Sequence, residues 1–161
     1  MKYHKIWILG GGGSGKTTFA KRLAEKSKLP LYHLDHTAYS KNFKIKYNEK
    51  RRDNKLKEIS NKKRWIIEGA NSSEWVLRGI EKAELIIALE VGTLKRFFRT
   101  IKRHVLEKKW GEKDSLLQLL YWVVIYPFKG KRRHKKMIER CHADLVVLKN
   151  NNQINKFLKK I

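Results

Sequence analysis

The chain has 161 residues, 41% of them hydrophobic, with 39 Lys and Arg against 15 Asp and Glu for a formal charge of +24. That length and apolar content suit one domain over 1–161 with a three-layer core, and they exclude a disordered chain. A lone cysteine, Cys141, excludes a disulfide framework, and with no paired Cys or His spacing around it reads as a buried or inert thiol.

The first element is an apolar strand, read from Tyr3 to Leu9, and GGGGSGKTT follows it directly. Gly10, Gly15, Lys16 and Thr17 meet G-x-x-x-x-G-K-[ST], in which loop amides cradle phosphates, the Lys reaches the outer phosphates and the hydroxyl ligates Mg²⁺. The spacing thus assigns a nucleotide site to Gly10, Gly11, Gly12, Gly13, Ser14, Gly15, Lys16, Thr17 and Thr18. Gly10, Gly12 and Gly15 also fit the dinucleotide fingerprint, with Asp35 about twenty residues on, but a Rossmann helix packs small or apolar residues where this chain has Lys16 and Thr17. Phe19, Leu23 and Ala24 recur at helical intervals, so the loop ends at a helix N-terminus, which favours negative charge. KYHK before the strand, and the loop straight after it, read against a secretory leader; a cytoplasmic location is expected.

Further along, LYHL, RWIIE, LIIAL and LVVL read as strands, separated by helical patterns starting near Asn48, Ser72, Thr93, Asp114 and Asn150, with another over Lys131 to Cys141. Short apolar strands alternating with helices predict a parallel sheet covered on both faces, with ligands at the carboxyl ends of its strands. The acids at those ends are Asp35, Glu68 and Glu90. Asp35 can orient Mg²⁺ waters or take a proton from an acceptor, or merely cap a turn. Glu68, closing a hydrophobic strand beside a phosphate loop, is placed to hold Mg²⁺ with Thr17; the plain alternative is a solvated acid. Glu90 divides evenly between a structural and a supporting role.

Arg96, Arg99 and Arg103 fall on one face of a helix, and Arg132 and Arg133 follow in KGKRRHKK. Clustered guanidiniums can clamp a transferring phosphoryl group; a solvated basic face is the alternative. LLQLLYWVVIYPF, from Leu116 to Phe128, is too short to span a bilayer, so no membrane segment is expected; Asp114 and Ser115 cap this helix and Pro127 ends it. The lysines are dispersed, which favours solvated faces over a nucleic-acid partner, although Tyr121, Trp122 and Tyr126 could stack on bases. The six histidines show no ligand spacing.

GGGGSGKTTFAKRLAEK, LYHLDH, RWIIEGANSSEWVLRGIEKAELIIALE and KRFFRTIKR together resemble adenylate-kinase-like P-loop proteins of the DNA-topology-modulation group, over nearly the whole chain. The resemblance implies a three-layer α/β/α P-loop NTPase with a parallel five-stranded sheet, nucleoside-monophosphate-kinase-like, with a helical lid within about 99–133. It further implies ATP and Mg²⁺ as ligands, Thr17 and Glu68 on the metal, and Asp35 on the acceptor side. Lys16, Arg99, Arg103, Arg132 and Arg133 would stabilise the transferred charge. Where adenylate kinases follow acid-Gly with Phe-Pro-Arg, this chain reads EGANSS, and Arg78 is the nearest substitute for the Arg that grips the acceptor phosphate. The expected activity is transfer of the γ-phosphoryl group from ATP to a small acceptor; a nucleic-acid-associated ATPase or polynucleotide 5′-kinase is the alternative.

Overall fold

Runs of Ile, Leu and Trp with no polar interruption suit strands buried on both faces, and those within 6–10, 65–69 and 85–89 lie so, whereas Leu145 and Val147 of the last run are exposed. A computed structural model describes residues 2–40, 45–107 and 116–161, with the side chains of 103–107, 116–119 and 122 outside the described set. The expected caps Asp114 and Ser115 fall outside it too. Among the described residues β1 (Lys5–Gly10), β2 (Leu31–His33), β3 (Trp65–Gly69), β4 (Leu85–Leu89) and β5 (Asp144–Leu148) form one parallel sheet in the order β2-β3-β1-β4-β5.

Alternation along the central strand divides the core. Ile6 and Ile8 face α1 (Lys16–Ser27) and α8 (Asn151–Lys159), meeting Phe19, Leu23, Ile154 and Leu158. Trp7 and Leu9 turn to the other face, against Leu56 of α3 (Glu49–Ser60), Ile80 of α4 (Leu77–Ile80) and Met137 of α7 (Lys131–Ile138). Trp7 and Trp65 meet edge to face with ring centroids 6.1 Å apart. Each fully buried Leu or Ile contributes roughly 2–3 kcal/mol of apolar transfer, so the two clusters hold the helices to the sheet. The result is the three-layer α/β/α arrangement.

Because β1 pairs with β3 on one side and β4 on the other, the chain order reverses at its carboxyl end, and Gly10 opens the loop at that switch point. Several local expectations shift. The helix expected from Ser72 is a 3₁₀ turn, Glu74–Val76, running into the four-residue α4. Asp35 opens a short helix of its own, α2 (Asp35–Ala38). α6 (Leu116–Ile125) ends just before Pro127, as expected, and a π-helical turn, Tyr126–Gly130, with the proline at its start carries the chain straight into α7. Among the described residues no helix is long and apolar enough to cross a membrane.

Candidate functional site

The loop is shaped by where its carbonyl groups go. Gly11 O accepts from Ser14 N at 3.3 Å and from Lys16 Nζ at 3.2 Å. Gly12 O accepts from Arg96 Nε at 2.9 Å, and Ser14 O from an Arg99 guanidinium nitrogen at 3.4 Å. Across a planar trans peptide the next residue's N–H points opposite to the carbonyl, so the Arg96 and Arg99 bonds turn the amides of Gly13 and Gly15 away from those arginines. Both arginines come from α5 (Thr93–Glu107), which lies directly on the loop. Gly13 is held at φ 71°, and a Cβ there would stand 2.5 Å from Arg96 O and 2.8 Å from Thr100 Oγ1. No larger residue fits.

The loop feeds α1 with Gly15 at the N-cap, no side-chain cap and no acid in the first turn. The first amides of a 12-residue helix are therefore left to a ligand, at the positive end of its dipole. Ser14 Oγ is buried with no hydrogen-bond partner among the described residues. Open amides, an orphan hydroxyl and the Lys16 ammonium suit a polyphosphate.

An acid stands across from them. Strand register sets Glu68 on β3 beside His33 on β2. Thr17 Oγ1 donates to Glu68 Oε1 at 3.1 Å, and His33 Nδ1 lies 2.7 Å from the same oxygen. Burial works to raise the Glu68 carboxyl, but the His33 hydrogen bond, Lys16 and Thr17 outweigh it and hold the group below its ordinary value. Glu68 is thus ionised at neutral pH, and His33 donates from Nδ1. With the Thr17 hydroxyl it offers the hard oxygen ligands that Mg²⁺ takes.

Asp35 follows at the rim. Its side chain is exposed to water, although protein crowds the carboxyl. That crowding raises its carboxyl above the ordinary value, Lys16 opposes the rise and Glu68 adds to it. Beyond His33 a groove of about 300 Å³ runs between β2 and α3, lined by Tyr32, His33, His36, Thr37 and Lys55.

Lys16, Thr17, Glu68 and Asp35 thus stand near one another. Other expected residues stand apart. Arg78 on α4 and Arg132 and Arg133 on α7 are exposed, and no hydrogen bond or ion pair ties them to another described residue. The Arg103 side chain lies outside the described residues, as does that of Trp122. Glu90 pairs with Lys131 at 2.7 Å. Tyr121 is exposed, whereas Tyr126 is turned inward under the Arg96 guanidinium, 4.5 Å from its ring centre. Among the described residues no group of three or more His, Cys, Asp or Glu could hold a metal by itself.

Arg96, His33 and His134 are the residues whose roles the sequence conceals. Arg96, 2% exposed, braces the loop backbone rather than lining a solvent-facing clamp. His33 gains its role from the neighbouring strand, and His134 sits in a basic run that reads as a solvated face.

No protein-family model and no curated protein matches the chain. Among solved structures it is similar to shikimate kinase from Acinetobacter baumannii in complex with shikimate, at 18% identity and TM-score 0.63, over 99% of this chain and 90% of that one. It is also similar to shikimate kinase from Bacteroides thetaiotaomicron (14%, TM-score 0.60, 98% and 95%). An uncharacterized protein from Eubacterium ventriosum matches at 18%, TM-score 0.53, over 97% and 96%. At these identities the likeness is one of fold, and it is the three-layer, nucleoside-monophosphate-kinase-like arrangement with a five-stranded parallel sheet.

Proposed function

We propose that the chain is an ATP- and Mg²⁺-dependent phosphotransferase that moves the γ-phosphoryl group of ATP to a small acceptor in the cytoplasm. The observation that carries this reading is a glycine loop whose carbonyls are tied back by Lys16, Arg96 and Arg99. Its amides and Ser14 Oγ are left for an anion, next to a Thr17 hydroxyl that donates to Glu68 at 3.1 Å. The fold shared with shikimate kinases and the resemblance to adenylate-kinase-like proteins support the same class.

In this reading residues 10–18 bind the triphosphate, and Lys16 exchanges its bond to Gly11 O for phosphate oxygens. Thr17 and Glu68 hold Mg²⁺, which when bound neutralises charge on the phosphate oxygens. Asp35, its carboxyl raised by its surroundings, accepts the proton of an acceptor hydroxyl. The acceptor lies on the His33 side, where the groove beside α3 offers space. Arg78, exposed on α4, is the candidate to grip an acceptor phosphate. The lid is drawn from about 99–133 and would bring Arg99, Arg103, Arg132 and Arg133 over the phosphates and exclude water.

Incubation with γ-labelled ATP and a panel of nucleosides, nucleotides, small alcohols and 5′-hydroxyl oligonucleotides tests the assignment. Label in a small acceptor supports it. Label in oligonucleotides alone assigns a polynucleotide kinase instead, and label in inorganic phosphate alone contradicts transfer.

A further inference from the structure

Against the loop lies a buried polar chain, from Ala70 through His134 and Tyr126 to Arg96, that the proposed chemistry does not use. The Tyr126 ring and the Arg96 guanidinium both press on Gly11: a Cβ there would stand 2.7 Å from the ring and 2.6 Å from the guanidinium. Arg96 spans the gap between Gly12 O, at 2.9 Å, and Val123 O, at 3.1 Å, and its charge rides on the Tyr126 face at 4.5 Å. The Tyr126 hydroxyl lies 2.7 Å from His134 Nδ1, and His134 Nε2 lies 3.1 Å from the carbonyl oxygen of Ala70.

A carbonyl only accepts, so Nε2 carries the proton and Nδ1 of the neutral ring accepts from tyrosine. Burial holds His134 down at about 4 and pushes Tyr126 up to about 12, so this proton arrangement is fixed across ordinary pH. His134 is 4% exposed. Arg96 Nε and Nη2, the Tyr126 hydroxyl and both His134 nitrogens each have a partner, and a satisfied buried network of this kind holds one geometry. It begins two residues after Glu68 and ends on the backbone of the phosphate loop. The π-helical turn that presents Tyr126 is a distortion often found at functional sites.

We propose that Tyr126 and His134 are positioning residues for nucleotide binding: His134 anchors the Tyr126 ring to the strand carrying Glu68, and the ring seats Arg96 on the Gly12 carbonyl, keeping the loop's amides turned toward the ligand. The inference rests on the nucleotide reading above. Neither residue touches the nucleotide; both set the shape that receives it.

Two measurements test it. Hydrogen exchange of the unmodified chain with and without Mg·ADP is expected to show protection in peptides covering 123–134 and 70–74 as well as 10–18. Protection confined to 10–18 overturns the proposal. Calorimetry with Mg·ADP is expected to show Tyr126→Leu at least about tenfold weaker than the unmodified chain and Tyr126→Phe, which keeps the ring, about two- to threefold weaker. A residue that only supports the fold would lower the melting temperature or the stoichiometry and leave the Kd of the folded fraction unchanged. That result overturns the proposal, and the exchange measurement decides if Tyr126→Leu does not fold. No Mg·ADP binding by the unmodified chain would instead remove the nucleotide reading itself, and this inference with it.

Discussion

The Thr17 hydroxyl donates to Glu68 across 3.1 Å, joining the first turn of α1 to the end of β3 although 51 positions separate the two residues. Both oxygens suit a hard cation. Glu68→Gln keeps the shape and removes the charge, so the Mg²⁺ dependence of ATP binding is expected to weaken about ten- to a hundredfold. Titrating ATP affinity against Mg²⁺ for the variant and the unmodified chain checks this; identical curves would remove Glu68 from the metal site.

Gly13→Ala is expected to damage the loop twice over. An L residue at φ 71° costs roughly 1–2 kcal/mol, and the new methyl meets the Arg96 carbonyl at 2.5 Å, so α5 must move. Thermal unfolding should fall by on the order of 5 °C, together with loss of nucleotide binding. An unchanged midpoint would mean that α5 does not rest on the loop.

Asp35 is expected to separate binding from transfer. Asp35→Asn should leave the ATP Kd within about threefold and slow acceptor phosphorylation by about 10² or more. In the unmodified chain the acid limb of the rate profile should lie above the ordinary carboxylate value of 3.8, since crowding raises this group. An equal loss of binding and turnover would reassign Asp35 to the nucleotide.

His134 gives stability a pH dependence whose sign follows from burial. Its folded pKa of about 4 lies below the usual 6.5, so between these values the unfolded chain binds more protons and stability rises with pH. Acidification from pH 7 to 4 should cost roughly 3 kcal/mol through this residue. Denaturant unfolding of the unmodified chain and of His134→Gln at several pH values checks it. The variant is expected to flatten the slope across that window.

The five strands and the loop between β1 and α1 were legible because apolar runs and glycine spacing are local signals. Helix starts near Asn48 and Asn150 were legible for the same reason, and there the two side chains accept from Arg51 N and Gln153 N. Lys16, Thr17, Glu68 and Asp35 could be named because each sits at a strand end or in a motif. Contacts set by register or by helix docking could not be read. His33 faces Glu68 only because β2 pairs with β3 in one register. Arg96 reads as one of three arginines on a helix face, and only the docking of α5 on Gly13 sends it into the core.

Calorimetric titration of the unmodified chain and of Lys16→Ala with ATP in the presence of Mg²⁺ tests the phosphate-loop assignment most directly. Saturable heat near one nucleotide per chain is expected for the unmodified protein, with affinity lowered about a hundredfold or more in the folded variant. No heat of binding from the unmodified protein, or equal affinity in both, would contradict it.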